Sequence, residues 1–199
     1  MPNQNISSKK VVIIVAFRDF KDEEYFVPKE ILESAGAEIK TASNSESASR
    51  RTKEEKRLFS STKKGVAIGA DGGEVKVDFL VSEINPAEFD VIVFIGGSGC
   101  LENLDNESSY RVAKATVLQG KVLASICISP VILAKAGVLK GKKATVWSSA
   151  LDKSAIEILE ENEAIYRAES VVQDGKIITA SGPNAAKGFG EAIVEALTE

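Results

Sequence analysis

Residues 122–137 read VLASICISPVILAKAG, and the change of pattern inside that stretch sets the fold class. Residues 122–126 form a short apolar run of the kind that makes a strand buried on both faces. Residues 130–136 have helical composition and stop at Gly137. A strand that gives way to a helix within three residues leaves Cys127 at the turn, with Ser125 and Ser129 two positions to either side. Small neighbours are what a nucleophile elbow needs, because that turn is tight and strained and lifts one side chain above the carboxyl end of a sheet. Pro130 suits the first turn of the following helix, whose N-terminus would favour the thiolate and lower the thiol pKa. Spacing alone leaves a second reading open, a buried cysteine acting as a small hydrophobe.

Working outward, residues 10–17 (KVVIIVAF) and 90–95 (DVIVFI) are further buried strands. Residues 24–35 carry apolar side chains at helical spacing and end at Gly36, with Pro28 fitting best near the first turn; residues 37–42 give a shorter strand. Residues 65–77 hold the turn signal Ala70-Asp71-Gly72-Gly73 and predict a small β-hairpin. Helices are expected over 110–119, 152–161 and 185–197, a strand over 144–147, and a strand pair over 171–180 turning at Asp174-Gly175. This alternation predicts an α/β fold, a flavodoxin-like, mostly parallel sheet sandwiched between helices. Residues 1–9 are expected to be a flexible tail and residues 10–199 one domain.

Composition narrows the function. Of 199 residues, 44% are hydrophobic and 27% charged, the balance of an ordinary globular protein, and the net charge of -4 argues against a nucleic-acid partner. The run RRTKEEKR at 50–57 mixes both signs within a polar segment, 43–64, expected to be a solvated helix or excursion. No apolar run is long enough to cross a membrane and no leader pattern opens the chain, so a cytoplasmic location is expected. Two cysteines, Cys100 and Cys127, are too few for a disulfide framework, and the Asn106-Glu107-Ser108 acceptor pattern is then a chance match. The chain has no histidine. It therefore cannot build a Cys-His or Ser-His pair, even across a homo-oligomer interface, and no metal site is expected.

The stretch from 122 to 147, VLASICISPVILAKAGVLKGKKATVW, is similar to the signature of the ThiJ/PfpI superfamily, whose members include deglycases, intracellular peptidases and cofactor-free glyoxalases. The likeness also takes in EYFVP (24–28), FDVIVFIGG (89–97) and GKIITASGPNAAKGFGEAIVEAL (175–197). The resemblance implies that Glu24, with Asp22 and Glu23 as local competitors, is the acid paired with Cys127. A carboxylate would repel a thiolate, so Glu24 should be protonated and donate to sulfur. The resemblance further implies that backbone N–H groups at Gly97 (in the Gly96-Gly97 loop) and Ile128 bind an oxyanion or an oxidised sulfur, that no cofactor is used, and that the protein is a homodimer. Gly96, Trp147 and Cys100 are pocket candidates, Cys100 either packed or a resolving thiol.

The chain departs from its relatives at Ile128, where peptidase-like members have histidine, and at Trp147, where others have one nearby. Peptidase chemistry, which needs a proton donor for the departing amine, drops in rank. The leading expectation is a stress-response protein with an oxidation-sensitive cysteine. The alternative is a cofactor-free glyoxalase or deglycase acting on dicarbonyls. A non-catalytic role in assembly is the third.

Overall fold

The computed structural model describes residues 5–44 and 65–198. Along the chain the strands are β1 (Lys10–Val15), β2 (Arg18–Phe20), β3 (Glu38–Ser43), β4 (Val66–Gly69), β5 (Glu74–Lys76), β6 (Phe79–Leu80), β7 (Val91–Phe94), β8 (Val122–Ile126), β9 (Lys143–Ala144), β10 (Ile165–Tyr166), β11 (Val171–Asp174) and β12 (Ile177–Ala180). The helices are α1 (Asp22–Ser34), α2 (Cys100–Leu104), α3 (Glu107–Leu118), α4 (Pro130–Lys135), α5 (Ser154–Glu161) and α6 (Ala186–Thr198). Seven strands form the main sheet in the order β11-β12-β8-β7-β1-β3-β6. Every pairing in it is parallel except β11 with β12.

Period-two alternation explains why the central runs are continuously apolar: Val12 and Ile14 point into one layer, Val11, Ile13 and Val15 into the other. The first layer is closed by α2 to α5 through residues such as Leu104, Val112, Leu133 and Leu159. The second is closed by α1 and α6 through Tyr25, Leu32, Phe189 and Ile193. Both faces are therefore covered, and the carboxyl ends of β1, β7, β8 and β12 are left to carry loops.

The structure differs from the sequence reading in several places. Helix α1 begins at Asp22, so Pro28 sits in its interior rather than near its first turn. The expected strand at 144–147 shrinks to β9, which pairs with β10 outside the main sheet. The hairpin expected over 65–77 is β4 with β5, but it joins β2 in a separate three-stranded sheet. Helix α3 starts three residues early because the Asn106 side chain caps it, accepting from the Ser108 and Ser109 N–H groups. The tail expected over 1–9 is packed at Ile6, which is 2% exposed and donates its N–H to the Ala35 carbonyl at 2.9 Å. The segment 43–64 lies outside the described residues from 45 onward; Ser43 closes β3. Among the described residues no helix is long and apolar enough to cross a membrane.

Candidate active site

Strand β8 ends at Ile126 and delivers Cys127 with φ of 67°, in the left-handed region that costs a non-glycine residue about 1–2 kcal/mol. The surrounding bonds hold it there. Its N–H donates to the Ala180 carbonyl at 2.8 Å, and its carbonyl accepts the Trp147 N–H at 2.7 Å. Ser129 fastens the turn from below: its hydroxyl accepts the Ile126 N–H at 3.1 Å and lies 2.7 Å from the Ser125 hydroxyl and 2.9 Å from the Phe94 carbonyl. One hydroxyl proton serves those acceptors, so Ser129 ties β8 to β7 at the point where the chain must bend.

The acid comes from α1. Glu24 is fully buried, and its Oε2 accepts the Gly96 N–H at 3.2 Å while Oε1 has no hydrogen-bond partner. Glu23 faces solvent. Asp22 is used elsewhere, accepting the Asp71 and Gly73 N–H groups at 2.8 and 2.6 Å and so anchoring the β4–β5 turn. Of the three acidic candidates, the structure brings Glu24 to the thiol.

Gly96 is the spacer between the two groups, since a Cβ on it would stand 2.6 Å from Cys127 Cβ and 2.9 Å from Glu24 Oε2. Its N–H is committed to the carboxyl group, which leaves the Gly97 and Ile128 N–H groups to face the sulfur. Gly97 has φ of 110°, and a Cβ there would meet Lys21 N at 2.4 Å and Asp19 O at 2.5 Å. The glycine loop is laced to the segment before α1 by the Lys21 N–H on the Gly96 carbonyl (3.1 Å) and the Gly99 N–H on the Asp19 carbonyl (3.0 Å).

Burial pushes the Glu24 carboxyl group up to about 7, against the pull of the nearby Cys127 thiol, the Gly96 N–H and Lys21. Burial also pushes the Cys127 thiol up to about 12; the charge of Glu24 adds to the rise, and the Gly97 and Ile128 N–H groups oppose it. Desolvation thus opposes the low thiol pKa expected from the N-terminus of α4, a helix of only six residues. The resting pair is a thiol beside a carboxyl group poised near neutrality.

Trp147 is about one-third exposed and lines an open cleft of about 390 Å³ together with Thr145 and residues 181–184. Cys100 is not on this surface. It is fully buried as the first residue of α2, and burial, with the charges of Cys127 and Glu24 adding, holds its thiol well up. Both cysteines are free. Among the described residues no three Cys, Asp or Glu side chains converge as metal ligands. The sequence reading took Ser129 only for its small size and missed the bonds of its hydroxyl, and the Arg18 to Lys21 segment, which carries no periodic pattern, escaped it.

Comparison with known proteins places these features in a wider set. The DJ-1/PfpI family profile matches residues 9–196. An uncharacterised protein of Methanocaldococcus jannaschii is 36% identical over 98% of this chain and 85% of its own. A deglycase of Pyrococcus horikoshii is 30% identical over 86% of this chain and 90% of its own. The crystal structure of a ThiJ/PfpI domain protein from Brachyspira murdochii superposes with a TM-score of 0.80 at 32% identity, covering 94% of this chain and 95% of that one.

Proposed function

The chain belongs to the DJ-1/PfpI family, and from that premise we propose that it is a cysteine-dependent, cofactor-free enzyme acting on reactive dicarbonyls, with Cys127 as nucleophile and Glu24 as proton carrier. The observation that carries this reading is the buried Glu24 carboxyl group, raised to about 7 beside a thiol raised to about 12. A base with a pKa near the working pH is suited to moving protons. The thiol, by contrast, reacts only as it is deprotonated.

With methylglyoxal, the Cys127 sulfur adds to the aldehyde carbon while its proton passes to Glu24. The oxygen, now an oxyanion between the Gly97 and Ile128 N–H groups, takes that proton and a hemithioacetal results. Glu24 then removes the hydrogen on the attacked carbon and returns it to the neighbouring one, as the hydroxyl proton moves to the former ketone oxygen. The first carbon is thereby oxidised to a thioester and the second reduced to an alcohol. Water hydrolyses the thioester, releasing lactate and restoring the thiol. No imidazole is needed. Relatives named as deglycases support the choice of substrate class.

The oxidation-sensitive stress role that led the sequence reading uses the same Cys127 and ranks second, because the relatives' names point to carbonyl chemistry. The deciding assay is methylglyoxal consumption and lactate release by the purified protein. Wild type should turn over with an acid limb in kcat/KM near pH 7, Cys127→Ser should retain no more than about one thousandth of the rate, and Glu24→Gln should lose the limb with about 100-fold or more of the rate. Consumption no faster than that of Cys127→Ser would sink the reading.

A further inference from the structure

The turn Ala70-Asp71-Gly72-Gly73 is left without a task by the proposed chemistry, yet it is docked on the residues that open α1. The Ala70 N–H donates to the Phe20 carbonyl at 2.8 Å, and the Asp22 carboxylate takes the Asp71 and Gly73 N–H groups. The turn is moulded around that carboxylate: a Cβ on Gly69 would stand 2.2 Å from Asp22 Oδ2, and one on Gly73 would stand 2.3 Å from Asp22 Oδ1. What this docking delivers is Asp71 Oδ2, which lies 2.6 Å from Lys21 Nζ.

Lys21 is the N-cap of α1 and Glu24 its third helical residue, the two positions that face each other in a capping box. Here a residue of the glycine loop is inserted between them. The Lys21 N–H donates to the Gly96 carbonyl at 3.1 Å, and the Gly96 N–H donates to Glu24 Oε2 at 3.2 Å. Lysine and acid are thereby held to either side of one residue, and the Lys21 charge draws Glu24 towards the carboxylate while that of Glu23 pushes it the other way. The Cys127 thiol faces Glu24 from the elbow and the Cys100 thiol from α2. Lys21 is the cation of this group, and an anion paired with it cancels part of its field.

We infer that the Ala70–Gly73 turn belongs to the machinery of the acid: it holds Asp71 against Lys21, and this ion pair sets the charge state of Glu24, Lys21 favouring the carboxylate and Asp71 restraining that pull. Lys21 and Asp71 are then positioning residues, acting on the reaction through Glu24. The inference rests on the proposed function only in taking Glu24 as the proton carrier; the charge on Glu24 can be read with or without turnover.

That charge is read by NMR from the side-chain carboxyl carbon of Glu24 in glutamate-labelled protein, the resonance being identified by its loss in Glu24→Gln. Lys21→Met should move the midpoint up by about half a pH unit, a roughly threefold change in proton affinity, and Asp71→Asn should move it down by up to about the same amount. Lys21→Arg should keep the wild-type midpoint. Both side chains of the pair are partly exposed, so both shifts should shrink in about 1 M salt, where the screening length falls to about 3 Å. A midpoint unmoved in Lys21→Met, moved as far in Lys21→Arg, unmoved or raised in Asp71→Asn, or shifts indifferent to salt would overturn the inference. Asp71→Asn keeps the backbone bonds of the turn and decides alone if a Lys21 variant fails to fold. Failure of methylglyoxal turnover leaves these midpoints untouched, whereas turnover with one acid limb common to wild type, Lys21→Met and Asp71→Asn leaves the reaction standing while removing the pair from it.

Discussion

Glu24 carries a proton that the folded protein holds more tightly than the unfolded chain does. Its carboxyl pKa is raised by burial from 4.5 to about 7, so below pH 4.5 both states are protonated and nothing is lost. As pH rises from 4.5 through 7 the unfolded chain releases its proton first, and the fold loses stability relative to its acid-side value. The loss approaches about 3 kcal/mol by pH 8. Glu24→Gln removes the titration, so its urea midpoint should be flatter across that window than that of wild type and should overtake it above pH 7. Parallel pH profiles for the two proteins would show that Glu24 titrates normally. The sequence could not select this residue unaided, since Asp22, Glu23 and Glu24 share one helical turn and differ only in which face the packing buries; the family likeness supplied the choice. The burial of the thiol was hidden for a related reason. A helix N-terminus is visible in a sequence, whereas the depth at which it sits is not.

Between elements, the site depends on the close approach of the loop after β7 to the segment before α1. Gly97→Ala would force a Cβ to within 2.4 Å of Lys21 N at a positive φ, with backbone on both sides that cannot yield. We expect a loss of more than about 3 kcal/mol in stability, together with loss of methylglyoxal turnover. Gly72→Ala, also at positive φ but with nothing within 4 Å, should cost only about 1 kcal/mol and keep activity. Thermal melts of the pair check the contrast, and similar losses would mean that φ alone matters. The glycine loop was legible because three glycines follow a buried strand. Its partner β2 was not: three residues, RDF, are too few to show a period. Pro28 misled for another reason. Local preference puts proline in the first turn, but α1 accepts it in the interior, where Gly190 of α6 leaves room beside its Cα.

At the scale of the molecule, the class of fold was readable because residues 11–15 of β1 and all of β7 are apolar without interruption and β8 breaks its apolar run only at Ser125, a pattern that needs helices on both faces. Strand order was not readable, since parallel neighbours are set by which crossover packs where. The detached β9–β10 pair was missed because two residues leave no pattern. The hydrogen bond from Gly96 to Glu24 joins residues 72 positions apart, and the elbow is closed by Ala180 from the far end of the chain. Contacts of that separation form late, after the loops between them have been closed. Catalytic competence should consequently return, on dilution from urea, no faster than the slowest phase seen in Trp147 emission; activity regained ahead of that phase would contradict it. The candidate site is thus closed only once the strand ending at Ala180 is in place. A ribosome-bound chain that has exposed Glu24, the glycine loop and Cys127, but not yet the strand ending at Ala180, carries all the reactive groups and an elbow still open on one side.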